Sequence, residues 1–214
     1  AHLVPRFYDV SDGSVRIDGQ DIREFTLESL RRNVGVVQQD VFIHTASIRD
    51  NVAYGDVEAQ MDDVVGAMKI AQLHDFIDEL PEAYETVVGE RGVGLSGGQR
   101  QRLAIARTII LDPPVLVLDD STSSVDVHTE RLIQRALDEV IEGRTTFLIS
   151  NRFSAIAQAD EILVFVDGRI VQRGKHDDLV DVPGEYQSLY ISQMRPFEEA
   201  RKAALEAQRS QAGD

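Results

Sequence analysis

Two short stretches of this 214-residue chain have residue types and spacing suited to phosphate and metal chemistry. The first is Leu95-Ser96-Gly97-Gly98-Gln99, followed by apolar Leu103, Ile105, Ala106, Ile109 and Ile110 at mixed three- and four-residue steps. That periodicity predicts a helix opening on two glycines. Glycines at a helix start let backbone N–H groups approach an anion closely, and the helix dipole favours negative charge there. Ser96 adds a hydroxyl donor. The second stretch is Val115-Leu116-Val117-Leu118, which follows the helix-stopping Pro113-Pro114 and ends in Asp119 and Asp120. A buried parallel strand with carboxylates at its carboxyl end is placed to hold Mg²⁺ beside a nucleotide phosphate. Taken singly, an SGG is most often a loop and an acidic strand end most often solvated. In this order and spacing they form two phosphate-handling devices joined by one amphipathic segment.

The elements that must position them alternate between strand and helix. Residues 13–19 alternate like an edge strand closed by a turn, and 26–32 predicts a short helix with Thr26 as N-cap. Val34-Gly35-Val36-Val37 reads as a buried strand followed by Gln38-Gln39-Asp40, and 42–110 reads as mostly helical. Residues 129–141 put Leu132, Ile133, Ala136, Leu137 and Val140 on one side of a helix that Gly143 ends. Thr145-Thr146-Phe147-Leu148-Ile149 reads as another buried strand, delivering Ser150-Asn151-Arg152 to the site edge. Residues 162–166 and 170–172 flank Asp167-Gly168 as a hairpin, and 175–180 and 184–194 predict closing helical turns. The tail, rich in Ala, Glu, Arg and Gln, reads as a solvated helix fraying to disorder.

Composition narrows the classes. At 43% hydrophobic, the chain is long enough for a compact α/β domain with a real core. A formal net charge of −15 argues against a general nucleic-acid or anionic-membrane surface. With no cysteine there is neither a disulfide framework nor a thiolate metal site. No apolar run reaches the roughly eighteen residues that a membrane-crossing helix requires.

The segment from Leu95 to Asp120 resembles the signature motif and Walker B strand of ATP-binding cassette (ABC) ATPases, and Ser123-Ser124-Val125-Asp126 resembles that family's D-loop. Arg6-Phe7-Tyr8-Asp9, the ribbon through Ile22-Arg23, and Gln39 in the place of the Q-loop glutamine extend the likeness. Thr86-Val87-Val88-Gly89-Glu90-Arg91-Gly92 resembles the X-loop of exporters, and the long coiled-coil insertion of chromosome-maintenance relatives is absent. The resemblance implies a P-loop NTPase (RecA-like) α/β core, residues 1–40 and 111–196. It implies an inserted α-helical ABC subdomain at 41–110, with 197–214 as a charged tail. It implies ATP and Mg²⁺ as cofactors. Asp119 and Gln39 would serve the metal, and Leu95, Ser96, Gly97, Gly98 and Gln99 would meet the ATP of a second ABC ATPase domain. Ser124 and Asp126 would act in the D-loop. The implied setting is the cytoplasmic face of a membrane, beside the transmembrane domain of the same exporter, with no nucleic acid as partner.

Two departures sit at the chemistry. Asp120 stands where the family's catalytic Glu is usual, and one methylene fewer withdraws the carboxylate by ~1.5 Å. Misplacement on that scale costs on the order of 10²-fold in rate. Asn151 stands where the switch histidine belongs; it can hydrogen-bond a γ-phosphate but has no titratable nitrogen. Losing both groups while keeping LSGGQ resembles the degenerate subunit of a heterodimeric exporter. The alternatives are an active homodimer that tolerates Asp120 and Asn151, or an interaction module. No G-x-x-x-x-G-K-[ST] occurs in the 214 residues, so the chain by itself is expected to be inactive, a fragment beginning after the phosphate-binding loop.

Overall fold

The structure, a computed structural model, describes residues 1–38, 40–89, 94–119 and 127–194. They fall into two compact units, Ala1–Ile149 and Ser150–Asp214.

The first unit opens with a two-residue ribbon, β1 (Arg16–Ile17) against β2 (Gln20–Asp21). The expected longer strand is cut short because Asp18 and Gly19 both take positive φ, 50° and 82°, closing a tight turn. Helix α1 (Leu27–Asn33) starts where Thr26 accepts from the Ser29 N–H, as expected of an N-cap. Strand β3 (Val34–Val37) follows it directly. A second ribbon, β4 (Ala46–Ser47) with β5 (Val87–Val88), brackets a helical stretch. That stretch holds α2 (Ile48–Val52), α3 (Met61–Ile70) and α4 (His74–Asp78), and it is mostly helical as its sequence predicts. Then come α5 (Gly97–Ile109), β6 (Val115–Asp119), α6 (Val127–Ile141) and β7 (Thr145–Ile149).

Strands β3, β6 and β7 form a parallel sheet in that order. The central strand β6 is covered on both faces. Its Leu116 and Leu118 belong to the main core with Leu103, Ile105, Ile133 and Val140, whereas Val117 packs with Ile22, Leu30 and Val34 on the other side. A strand buried on both faces is what a near-continuous apolar run encodes in a parallel sheet. On the α5 side β3 presents Gly35. A methyl carbon there would stand 2.6 Å from Thr108 Cγ2 and 2.7 Å from Pro113 Cγ, so α5 and the turn after it rest on bare backbone.

One strand departs from its reading. The residues of β7 were expected to be buried, but Phe147 and Ile149 are 47% and 41% exposed. Among the described residues β7 pairs with β6 alone, so it is an edge strand of that sheet. Leu148 packs partly against the main core, and Phe147 and Ile149 alternate to the opposite face, which no described layer covers.

The second unit holds the hairpin β8 (Ile162–Val166) and β9 (Arg169–Gly174), with α7 (Phe153–Ile156), α8 (His176–Leu179) and α9 (Glu185–Gln193). Asp167 and Gly168, at φ 48° and 75°, make the expected hairpin turn. Its own core gathers Phe153, Ile162, Leu179 and Tyr186. The tail from residue 195 onward lies outside the described residues.

Gly35→Ala tests the close packing of α5. Its methyl group would force α5 or Pro113 outward, and the expected loss is about 1–3 kcal/mol, read as a lower urea midpoint with an unchanged slope.

Candidate phosphate-binding site

The Leu95–Gln99 segment leads into a capped helix start. Ser96 is the N-cap of α5, at φ −64° and ψ 164°, and its Oγ accepts from the Gln99 N–H at 3.2 Å. Gln99 returns the contact, its Oε1 accepting from the Ser96 N–H at 2.7 Å. This reciprocal box takes up two of the donors that a helix start leaves over. Among the described residues, the N–H groups of Gly97 and Gly98 remain for an incoming acceptor, and the Ser96 hydroxyl proton remains with them. Ser96 and Gly97 are exposed, while Leu95 and Gly98 are buried and anchor the turn. A methyl carbon on Gly97 would meet only the Arg100 guanidinium, at 3.9 Å, so the approach is open. Arg100 Nη1 donates to the Leu95 carbonyl at 2.6 Å and steadies the entry to the helix.

The sheet supplies the second device. Register pairs Val37 with Leu118 and Leu118 with Leu148, so the three parallel strands end at one edge. Asp119 is the last residue of β6 there, half-buried, and is opposite Ile149. Ligands of open α/β sheets bind outside the carboxyl ends of the strands. Gln38 leaves β3 at the same edge, while Gln39, Asp120, Ser124 and Asp126 lie outside the described residues. Asn151 belongs to the second unit and is exposed. The structure therefore brings together Leu95 to Gln99 at one helix start and sets Asp119 at a strand end.

A polar tie that the sequence reading did not anticipate holds α5 to the stretch beyond position 39. Arg107 Nε donates to the Asn51 carbonyl at 2.8 Å and Nη2 to the Asn51 Oδ1 at 2.9 Å, while Nη1 donates to the Phe42 carbonyl at 3.0 Å. Asn51, 1% exposed, also bridges the main chain of His44, accepting from its N–H and donating to its carbonyl, both at 2.9 Å. Burial pushes the Arg107 guanidinium below its ordinary pKa, an effect that the Tyr54 phenol, 5.8 Å from ring centre to Arg107 Cζ, partly opposes. The signal in the sequence is a lone Arg set between Ala106 and Thr108, inside the apolar face of α5. Nearby, Arg102 binds the Gly98 carbonyl at 3.3 Å and also the Gln72 carbonyl, linking the signature turn to the end of α3. Burial likewise raises the Tyr84 phenol to about 12, its hydroxyl 2.9 Å from His74 Nδ1.

Arg107→Met removes three charge-assisted bonds and leaves the buried Asn51 amide short of partners. The expected loss is about 2–4 kcal/mol by urea unfolding. Arg107→Lys is expected to recover less than half of it, because one ammonium cannot reproduce the planar fork.

Comparison with known proteins places this geometry. The family model for the ABC transporter matches residues 1–123, more than half of the chain and inclusive of both devices. An uncharacterized ABC transporter ATP-binding protein of Bacillus subtilis, YknU, is 51% identical over 193 residues, covering 90% of this chain and 33% of that protein. An ATP-dependent lipid A-core flippase of Legionella pneumophila is 46% identical over 190 residues, covering 89% of this chain and 32% of the flippase. Among solved structures, a bacterial Atm1-family ABC exporter with ATP bound superposes with a TM-score of 0.83 at 44% identity, over 90% of this chain and 34% of that one. The chain thus spans about a third of the length of these relatives. With its parallel sheet, capped signature helix and acidic strand end, it belongs to the ATP-binding domains of the ABC transporter family, of the P-loop NTPase fold and with exporters among its relatives.

Proposed function

We propose that this chain is the ATP-binding and ATP-hydrolysing domain of an ABC exporter, acting as one half of a dimer of such domains. The observation that carries this reading is the open start of α5. Ser96 and Gly97 are exposed, and the capping box leaves the N–H groups of Gly97 and Gly98 for an outside acceptor. Donors facing solvent suit a phosphate brought by a second molecule. Ser96, Gly97 and Gly98 bind the γ-phosphate of ATP held on the partner domain, with Leu95 and Gln99 shaping the turn. That is electrostatic stabilisation supplied in trans. ATP between the two domains favours the closed pair, and that difference in affinity moves the transmembrane domain.

In its own half-site the chain offers hard oxygen donors, which fit Mg²⁺. Asp119 and Gln39 would hold the ion, Asp119 through water, and Mg²⁺ bound with ATP would supply positive charge to neutralise the phosphate oxygens. Asp120 is a poor base, Asn151 a weak γ-phosphate contact, and Ser124 and Asp126 serve the D-loop. The pairing of Asp120 with Asn151 makes this subunit the degenerate half of a heterodimer. Residues 1–40 and 111–196 form the RecA-like core, 41–110 the helical subdomain and 197–214 a charged tail. No helix among the described residues is long and apolar enough to cross a membrane. The domain works at the cytoplasmic face of the membrane against the transmembrane domain of the same exporter.

In the reconstituted full-length pair, Ser96→Ala combined with Gly98→Asp is expected to lower ATP turnover more than Asp120→Asn does. The first strips donors from the partner's competent site and the second alters a site that is already weak. Equal losses would contradict the assigned asymmetry.

Restoration examines the weak site itself. With the partner's own catalytic Glu removed, Asp120→Glu together with Asn151→His is expected to raise single-turnover hydrolysis by more than the two single changes combined. Both groups act on one transition state. A wild-type rate equal to the restored one would favour the active homodimer instead.

A further inference from the structure

The loop that carries Asn151 is held by one side chain from the last described helix. Gln193 Oε1 accepts from the Phe153 N–H at 2.9 Å, and its Nε2 donates to the Asn151 carbonyl at 2.7 Å. One planar amide thus grips the main chain on both sides of Arg152. The two bonds also fix which end of the amide is oxygen, since an N–H faces one end and a carbonyl the other.

The surroundings make this grip specific. Phe153 opens α7, and its cap residue Arg152 supplies no side-chain capping bond, so the Phe153 N–H is an orphan donor that Gln193 satisfies from a distance of 40 residues. Phe153 is 5% exposed and packs against Tyr186 and Tyr190, with ring centres 5.8 Å and 5.1 Å apart. Tyr186, Tyr190 and Gln193 recur at helical spacing, so one face of α9 carries two aromatic contacts and then the amide. The Asn151 side chain itself is left exposed. Ser150 Oγ accepts from the Arg152 N–H at 3.0 Å, tightening the same turn.

We infer that Gln193 is a positioning residue for position 151: α9 sets the main chain from which the γ-phosphate contact is made. The inference rests on the reading of Asn151 given above. Neither Glu nor Met can replace the amide, since Glu lacks the donor for the Asn151 carbonyl and Met lacks both groups.

The test uses the full-length pair with the partner's own catalytic Glu removed, so that only this half-site reports. Single-turnover ATP hydrolysis over a range of MgATP concentrations gives the maximal rate and the KM for ATP, and hydrogen exchange is followed across residues 150–156. Gln193→Met is expected to lower the maximal rate about tenfold, short of the ~10²-fold that an ångström of misplacement costs. The KM should stay unchanged, and the Phe153 amide should exchange faster. Combined with Asn151→Ala, Gln193→Met should cost nothing further. Gln193→Glu keeps the acceptor for Phe153 and provides a second variant should the first fold poorly; its rate should fall while Phe153 stays protected. If Asn151→Ala slows hydrolysis and neither Gln193 variant does, the positioning role is overturned and the reading of Asn151 stands. If Asn151→Ala has no effect, that reading falls and takes this role with it. An equal Gln193→Met loss with and without Asn151→Ala would mark a purely structural contact and overturn the inference.

Discussion

Helix α5 can lie where it does only because β3 offers it a glycine. With Thr108 and Pro113 over the Gly35 backbone, the helix and the turn leading into β6 are pressed onto the sheet. That contact sets two things at once: the place of the helix start at Ser96 and the entry of the chain into the strand that ends at Asp119. Interiors pack at crystal-like density, so a shift at this contact is passed along rather than absorbed. The helix start at Ser96 and the strand end at Asp119 are therefore opposite ends of one rigid connection.

Polar ties then fasten the periphery to that connection. Arg107 reaches from the middle of α5 to Asn51 and Phe42, and Arg102 reaches to the end of α3. Guanidinium groups are costly to desolvate, and these are met by main-chain carbonyls and, for Arg107, the Asn51 side-chain oxygen as well, whose positions they fix in return. The helical stretch is thereby joined to the signature helix by directional bonds as well as by apolar contact. Directional bonds preserve alignment better than apolar packing, which tolerates sliding.

The second unit follows the same pattern at smaller scale. An aromatic cluster built on Phe153 gives it a core, and a single amide on α9 holds the turn that carries Asn151. In each unit a residue with chemical potential stands exposed on backbone that buried neighbours immobilise. Preorganisation of that kind lets an exposed group act without first being ordered.

Local chemistry made much of this legible in the sequence. Thr26 as a cap, the helix opening at Gly97-Gly98, the apolar run of β6 and the Asp167-Gly168 turn follow from hydrogen-bonding capacity and φ preference within a few residues, and the structure has each of them. The likeness to ABC ATPases was legible too, because LSGGQ and the acidic strand end lie in one continuous stretch. What the sequence could not decide depends on which elements become neighbours. Thr145 to Ile149 reads as a buried strand from its residue types, yet burial requires a covering layer, and the described sheet leaves Phe147 and Ile149 without one. Arg107 with Asn51 and Gln193 with Asn151 are separated by 56 and 42 residues, and no periodicity links such pairs. Hydrogen-bond capacity is written in a residue's type, whereas the partner that meets it is chosen by the packing of the chain.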